Sequence, residues 1–437
     1  MKKHAVSWRN WSGLEKCTSE EVVAVRTEEE LRTTVACAVQ SGRRLKAVGA
    51  GHSFSSIAVA PDIRLDLSSW SGVVATDQAQ KRITVRSGTH LWEMPRILAP
   101  TGLAMQNLGD IDRQTVSGAI STGTHGTGLA FGGLASQVVG LRLLTGTGEE
   151  LVVDESSPEL LDALRVGLGA YGIITEVTLQ LVDAFDLSVV EKVEPLADVM
   201  QTWEERCRQV DHFEFFWFGH SNRVVTKTSH RLAPGRQPHT SNRGVAAFVN
   251  DEILGNTVFD LACRVGARVP RSVPIMNEIA TSVWHSPPRT RASHELFASP
   301  RRVRFAECEY ALRLEDVPAA LGEIRSVLRR KGMAVTFPVE VRCAAPDTAW
   351  LASNHGRPTG YIAVHQHRSA DHRQYFAAVE AVHAVFGGRP HWGKVHRLAA
   401  SELAELYPRF TDAVELRARL DPQQIFGNDY IDSVLGV

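Results

Sequence analysis

A glycine-rich turn between two strand-like segments constrains this chain more than any other stretch of its sequence. Residues 48–56 read Val-Gly-Ala-Gly-His-Ser-Phe-Ser-Ser, after a buried-strand pattern at 44–47 and before an alternating one at 63–67. The two glycines allow positive φ angles and bring bare N–H groups against a ligand. Because successive N–H groups in such a turn hold anions, the stretch predicts a pyrophosphate-binding loop. The loop also carries a nucleophilic imidazole, His52.

This loop departs from the dinucleotide fingerprint Gly-x-Gly-x-x-Gly, which runs from a strand into a helix. Phe54 replaces the third glycine, and a strand pattern follows. On the residues alone three interpretations stay open: a dinucleotide site, a purely structural tight turn, and a flavin or nucleotide loop of another kind.

Residues 106–133 form a second stretch rich in Gly, Ser and Thr. Such glycine density costs much backbone entropy unless something packs against the bare chain, which argues against a core helix. The stretch predicts extended backbone lying over a flat ring system. A flexible linker is the alternative, and the strand-like segment 138–145 that follows closely disfavours it.

The tail carries a third motif, Gly-Arg-Pro-His-Trp-Gly-Lys at 388–394. Its outer glycines and the lysine have the spacing of a phosphate loop. However, Val395 stands where Ser or Thr would bind magnesium, and Pro390 removes an N–H donor. Nucleotide hydrolysis is therefore disfavoured.

Composition limits the class of protein. A chain of 437 residues with 43% hydrophobic and 22% charged content predicts a globular protein of two or three domains. A net charge of −1 gives no sign of nucleic acid or an anionic membrane as the main partner. Six scattered cysteines predict no metal site or disulfide framework. Without a signal-peptide pattern or a long apolar run, the expected location is cytoplasmic, with no integral membrane segment.

Taken together, the three motifs resemble the vanillyl-alcohol-oxidase or PCMH-type family of FAD enzymes, in its aldonolactone and alditol oxidase branch. Four further segments resemble actinobacterial-type D-arabinono- and L-gulono-1,4-lactone oxidases and dehydrogenases: His212–Phe216, Phe337–Arg342, Ile362–Gln366 and Asn428–Tyr430. The resemblance covers almost the whole chain. It implies an α+β fold of two domains, the FAD-binding domain at 1–185 and an α+β substrate (cap) domain at 186–386. A C-terminal segment, 387–437, is expected to return to the FAD region.

The resemblance implies FAD as the cofactor, joined covalently through His52, and a neutral imidazole suits that bond. The other implied cofactor-binding residues are Gly49, Ala50, Gly51, Ser53, Phe54, Ser55, Asp110, Thr115, Gly118, Ser121, Thr122, Gly123, His125, Ile173 and His391. For His125 a purely structural role is an equal alternative. Gly109 stands where a small residue lets oxygen approach the flavin in oxidases of this fold.

On the substrate side, the resemblance implies catalytic roles for Glu340, Arg342, His365 and Lys394, and substrate binding by Asp110, Glu340, Arg342, His367 and Lys394. Glu340 and Arg342 are two apart in a predicted strand, so both side chains project from one face. A carboxylate beside a guanidinium can bind a hydroxylated ring through charge-assisted bonds. Lys394 and Arg342 are expected to stabilise negative charge on the reduced flavin.

Asp110 and His367 differ from the serine and threonine of alditol oxidases, which leaves the exact substrate open. The prediction is FAD-dependent oxidation of an alcohol carbon of a sugar 1,4-lactone or polyol by hydride transfer, with O2 reduced to H2O2. His365 or a water bound to Glu340 is the expected base. Three alternatives stay open: a same-fold enzyme acting on a secondary metabolite, a dehydrogenase with another electron acceptor, and a non-catalytic flavin-binding module. No nucleic-acid partner is expected.

Overall fold

A computed structural model describes residues 6–235, 255–299 and 302–436. Up to residue 185 the strands are β1 (Val6–Arg9), β2 (Lys16–Ser19), β3 (Glu21–Ala24), β4 (Leu45–Val48), β5 (Ile63–Asp66), β6 (Val73–Asp77), β7 (Arg82–Arg86), β8 (Leu103–Ala104), β9 (Val138–Leu144), β10 (Glu150–Asp154), β11 (Ile173–Gln180) and β12 (Val182–Asp183). The helices of this part are α1 (Glu28–Ser41), α2 (Met94–Leu98), α3 (Val116–Ser121) and α4 (Pro158–Arg165).

From residue 186 onward the strands are β13 (Asp186–Pro195), β14 (His212–Phe218), β15 (Arg223–Leu232), β16 (Arg289–Ala292), β17 (Phe305–Arg313), β18 (Pro338–Ala344), β19 (Thr359–His367) and β20 (Arg389–Pro390). The helices are α5 (Leu196–Gln201), α6 (Trp203–Gln209), α7 (Gly255–Arg268), α8 (Val273–Ser282), α9 (Ser293–Phe297), α10 (Val317–Arg330), α11 (Arg373–Val385), α12 (Ala400–Leu406), α13 (Phe410–Leu420) and α14 (Asp429–Leu435). Within the described residues, every helix is too short or too polar to cross a lipid bilayer.

A small parallel sheet, in the order β3-β5-β4, holds the glycine loop between two of its strands. Helix α1 covers it and begins at a capping box. The Thr27 hydroxyl accepts the backbone N–H of Glu30, and the Glu30 carboxylate accepts the backbone N–H of Thr27. Leu31 and Val35 fall on one helix face and are buried against the strands. Since the strands are fixed in this way, the loop leaves the sheet at a defined edge.

A five-stranded antiparallel sheet, in the order β10-β9-β11-β7-β6, forms the second layer of this half. Strand β11 alternates buried and half-buried residues along its whole length, as a strand with one face in the core should. The core beneath it also contains residues of the tail, among them Trp392 and Tyr407.

An eight-stranded sheet contains every strand from β13 to β20, in the order β16-β13-β15-β14-β18-β19-β17-β20. One face is apolar and packs against α5, α6, α10 and α11, through side chains such as Phe215, Val341 and Val364. Because side chains alternate along a strand, the residues between these point to the opposite face. That face carries charged side chains, namely Glu214, Glu307, Glu309, Glu340 and Arg342, all of which are buried.

Two sequence-based expectations for the backbone are wrong. The glycine-rich stretch is not extended throughout, because α3 interrupts it with Ala119 and Ile120 in the core. The amphipathic spacing of residues 196–210 predicts a single helix, but the structure divides it at Thr202 into α5 and α6. The expected segment boundaries at 185 and 386 stay predictions; the pairing passes from one sheet to the next at Asp186.

Candidate functional site

The glycine loop turns at one glycine and needs the other for a close approach. Gly51 has a φ of 67°, whereas Gly49 does not adopt a positive φ. A Cβ atom at Gly49 would lie 2.5 Å from the Oγ1 atom of Thr115. The expectation of a left-handed conformation is therefore wrong for Gly49, whose missing side chain instead makes room for the start of α3.

The tail of the chain anchors the other end of this loop. The Phe54 N–H donates to the carbonyl of Gly393 at 2.6 Å, and the Ser55 hydroxyl donates to the carbonyl of Trp392 at 2.9 Å. The Phe54 ring is buried and stacks on Phe305 of β17. The loop is thus clamped between the first half of the chain, the large sheet and the tail.

His52 has the environment of a neutral nucleophile. Its Nδ1 atom is buried and has no hydrogen-bond partner among the described residues. The ring stacks on Trp11 with the centroids 5.6 Å apart. Burial, followed by the positive charges of Lys394 and Arg113, lowers the pKa of His52 to about 4. At neutral pH the imidazole is therefore uncharged, with a ring nitrogen that the protein leaves unused.

A groove of about 150 Å³, partly open to solvent, runs along the loop. Ten predicted cofactor residues line it: Gly49, Ala50, Gly51, His52, Ser53, Thr115, Gly118, Ser121, Thr122 and Ile173. Six others lie outside its lining: Phe54, Ser55, Asp110, Gly123, His125 and His391. Lys46, His90 and Gln114 also line the groove, and no sequence pattern had marked them.

Arg342 on β18 lies among three carboxylates. Its Nε is 2.9 Å from Glu340 and 3.4 Å from Glu214, and its guanidinium is 3.1 Å from Asp110. Burial alone would lower the pKa of Arg342, but Glu340, Asp110 and Glu214 raise it well above its ordinary value. The ammonium of Lys227, on the neighbouring strand β15, lies 2.6 Å from the Glu214 carboxylate and balances its charge. A small cavity of about 20 Å³ is lined by Arg342, Asp110, Glu214 and Lys227, so charged groups of both signs face its interior.

Glu307 on β17 joins two predicted catalytic residues. Its carboxylate lies 2.6 Å from the Lys394 ammonium and 3.5 Å from Nε2 of His365. Burial would raise the pKa of Glu307, but Lys394 and His365 lower it to about 2. Nδ1 of His365 lies 3.1 Å from the carbonyl of Pro338. This contact places the Nδ1 proton and directs Nε2 toward Glu307.

Glu309, two residues further along the same strand, lies beside His125 and His391. Nε2 of His125 is 3.3 Å from Glu309, and its ring stacks on Tyr361 with centroids 3.6 Å apart. Burial would raise the pKa of Glu309, but His125 holds it well below its ordinary value. Glu309, His125 and His391 are residue types that bind metal ions, and one potential ligand atom of each lies within 4.8 Å of the other two. However, Nδ1 of His391 accepts the Gly393 N–H at 3.0 Å, so a neutral His391 ring carries its proton on Nε2 and offers no lone pair there.

His367 lies apart from the other predicted substrate residues. Its Nε2 is 2.9 Å from Asp260 of α7, and its Nδ1 is 2.6 Å from the Ser369 hydroxyl. The side chain is 1% exposed and lines neither the groove nor the smaller cavity. The structure thus brings Asp110, Glu340 and Arg342 together in one cluster and His365 with Lys394 in another. His367 belongs to neither cluster and lies against Asp260 of α7.

Glu214, Lys227, Glu307 and Glu309 were missed by sequence reasoning. A usable signal existed for the pair on β17: two glutamates, two apart, alternate there with apolar residues in Ala306-Glu-Cys-Glu-Tyr310. Such alternation places both carboxylates on one face of a strand, as it does for Glu340 and Arg342. Lys227 lies on β15, whose residues do not alternate regularly between buried and exposed, and no comparable pattern distinguishes it.

The donor set fits a bound flavin dinucleotide on three observations. The buried Nδ1 of His52 has no protein partner in the described part of the chain. The groove is lined by glycines and hydroxyl-bearing side chains, and the missing side chain of Gly49 leaves room for Thr115 beside it. Lys394 of the tail and Arg342 of β18 supply positive charge that neighbouring carboxylates keep in place. Such an arrangement can bind a flat, anionic cofactor beside a cavity that recognises hydroxyl groups.

Comparison with known proteins agrees with this arrangement. Residues 177–434 match the family model of D-arabinono-1,4-lactone oxidase, and residues 19–154 match that of an FAD-binding domain. L-gulono-1,4-lactone dehydrogenase of Mycobacterium tuberculosis (strain ATCC 25618 / H37Rv) is 38% identical over 429 residues, which cover 98% of this chain and 99% of that protein. L-gulonolactone oxidase of Bos taurus is 31% identical over 438 residues, covering 98% of each chain.

Among solved structures, cholesterol oxidase from B. sterolicum superposes with a TM-score of 0.81 over 99% of this chain and 97% of its own. At 15% sequence identity this likeness concerns the fold alone. It confirms the predicted two-domain α+β, PCMH-type FAD-binding fold.

Proposed function

Because the chain belongs to the D-arabinono-1,4-lactone oxidase family, we propose that it oxidises an alcohol carbon of a sugar 1,4-lactone while holding FAD covalently through His52. Family membership makes it an FAD-linked oxidoreductase. The proposal of a covalent bond is supported by the buried Nδ1 atom of His52, which lacks a hydrogen-bond partner among the described residues. A neutral ring nitrogen at the wall of the groove is the atom that such a bond requires.

Residues 1–185 and the tail would hold the cofactor, with the loop, Thr115, Gly118, Ser121, Thr122 and Ile173 along the groove. The segment 186–386 would supply the substrate side. Bound FAD supplies the acceptor for the hydride that leaves the substrate carbon, and O2 takes the electrons to give H2O2.

The Arg342 cluster would recognise the substrate. Glu340 and Asp110 can accept hydrogen bonds from hydroxyl groups, and Arg342 can donate hydrogen bonds to a lactone carbonyl or a hydroxyl oxygen. Because Asp110 already pairs with Arg342, the two side chains act as one unit rather than as separate contacts. A substrate with several hydroxyl groups, such as a sugar lactone or a polyol, matches this alternation of donors and acceptors.

His365 is the base that this geometry favours. Its Nδ1 proton is held by the carbonyl of Pro338, so Nε2 is the atom that can take the hydroxyl proton. Glu307 lies 3.5 Å from Nε2 and would stabilise the imidazolium that results. Lys394, held charged by Glu307 and Glu309, fixes positive charge beside the reacting groups.

A second candidate differs in the electron acceptor. The relative from Mycobacterium tuberculosis is named a dehydrogenase, which favours an acceptor other than oxygen. Peroxide formation under air, compared with reduction of a dye under nitrogen, separates the two. A polyol or a secondary metabolite as substrate would be found by screening the same assay.

Two experiments test the proposal. Acid precipitation of the purified protein should leave yellow flavin in the pellet; His52→Ala should release it into the supernatant, while His90→Ala, a second histidine of the same groove, should retain it. Flavin in the wild-type supernatant would remove the covalent bond only. Separately, D-arabinono- or L-gulono-1,4-lactone should bleach the flavin absorbance without oxygen. If neither lactone does so while a polyol does, the lactone assignment is wrong.

A further inference from the structure

The outward face of helices α7 and α8 is apolar and exposed. Among the described residues, fourteen large hydrophobic side chains are exposed, and seven of them lie between positions 261 and 284. They are Leu261, Val265, Val269, Ile275, Ile279, Val283 and Trp284, and are called the apolar face below. Isolated exposed apolar side chains are ordinary, but a contiguous group marks an interaction surface.

The spacing of these residues makes two stripes. Leu261, Val265 and Val269 follow one another at intervals of four, which places them on one side of α7 and its end. Ile275, Ile279 and Val283 repeat the same interval along α8. The first stripe therefore covers the second half of α7 and its end, and the second runs along α8.

The opposite sides of both helices are anchored on the segment before β18. Cys263 is buried against Phe337, and the Asn277 side chain donates to the carbonyl of Val335 at 3.0 Å. Because both helices pack inward on the same segment, both stripes face away from the protein.

Positive charge accompanies the apolar face. Arg264, Arg268 and Arg271 are exposed between and beside the stripes. Asp260 pairs with Arg264 at 2.7 Å, but no carboxylate of the described chain pairs with Arg268 or Arg271. Although the total charge is balanced at −1, the helical pair itself has more cations than anions, with Glu278 the other acidic residue.

We propose that the apolar face docks on an anionic lipid bilayer. Amphipathic helices with apolar residues, a tryptophan and arginines lie in the lipid interface, where the apolar side chains enter and the cations meet phosphate groups. A second copy of the chain fits less well, because each copy would present the same excess of arginines, and two surfaces of like charge repel each other. The contact would be peripheral, since no described helix can cross a bilayer.

The docked surface would share a helix with the candidate site. Asp260, on α7, holds His367 through a contact of 2.9 Å. The lipid surface would thus lie about one helix diameter, roughly 10 Å, from the substrate-side strand β19.

Vesicle flotation with the full-length flavin-loaded protein tests this inference. Wild type should float with vesicles of equimolar phosphatidylglycerol and phosphatidylcholine, and at least tenfold less with phosphatidylcholine alone or in high salt. The double variant Leu261→Glu, Ile279→Glu should lose binding at least tenfold. The matched control, Val152→Glu with Val385→Glu, adds the same charge at two exposed apolar positions elsewhere and should bind as wild type.

Thermal unfolding and flavin absorbance, measured for each variant, ensure that a loss of binding is not a loss of folding. Three results would overturn the inference: wild type that stays with the pellet at all lipid compositions, equal loss in both double variants, or a dimer in sedimentation that only Leu261→Glu, Ile279→Glu dissociates. The third result would assign the face to a second copy.

Discussion

The pH dependence of flavin attachment is the sharpest test of the environment of His52. Only the neutral imidazole can form the bond, and burial lowers the pKa of His52 to about 4. At pH 5 a ring with that pKa is about 90% neutral, whereas an ordinary histidine with a pKa near 6.5 would be only about 3% neutral. The structure therefore predicts an attachment rate at pH 5 that is about 30-fold above that expected of an exposed histidine.

The measurement uses apoprotein from riboflavin-starved cells, mixed with FAD at pH values from 8 to about 4, with attachment read from the fluorescence of acid-precipitated protein. Reversible FAD binding, measured at each pH in His52→Ala, corrects for changes in affinity. The corrected rate should stay nearly flat down to about pH 5. A tenfold fall for each pH unit below about 6.5 would refute the reasoning, because it would mean an imidazole in ordinary solvent.

Three other substitutions test the surroundings. Glu307→Gln should destabilise the protein by roughly 3 kcal/mol at pH 7 in chemical unfolding, since Lys394 is left buried without its partner. Because the pKa of Glu307 is lowered to about 2 in the folded protein, its carboxylate contributes its full stabilisation above pH 4.5. Below pH 4.5 the difference in unfolding free energy between wild type and variant should shrink. Gly49→Ala should abolish tight FAD binding, as the added methyl would lie 2.5 Å from Thr115, and unchanged flavin content would contradict this close approach. Gly109→Ala, whose Cβ would meet the carbonyl of residue 125 at 3.2 Å, should fold but lower peroxide formation relative to dye reduction; equal effects on both would remove the oxygen path from this position.

Sequence patterns predicted those structural features that depend only on residues close together in the chain. The capping pattern at Thr27 and the apolar spacing of Leu31 and Val35 predict α1 almost to the residue. The glycine loop and its histidine were likewise visible, because the backbone freedom of Gly51 and the chemistry of an imidazole do not depend on distant contacts. The FAD enzyme class followed from these motifs.

Features decided by long-range packing escaped prediction. Glu307 forms part of the candidate site only because the tail brings Lys394, 87 positions away in the sequence, to within 2.6 Å of its carboxylate. In the same way α3 forms inside a glycine-rich stretch because tertiary burial of Ala119 and Ile120 outweighs the poor local propensity. The contact of His367, a predicted substrate residue, with Asp260 of α7 is likewise one that local sequence does not reveal.

The contacts between the loop and the tail have a consequence for how the protein matures in the cell. Phe54 and Ser55 are held by Gly393 and Trp392, and the Asn428 amide donates to the carbonyls of residues 56, 57 and 59. These partners are synthesised at least 337 residues after the loop, so the loop cannot be seated until they have left the ribosome. Cofactor attachment would therefore act as a quality check, and a prematurely terminated chain would remain colourless even with an intact amino-terminal half.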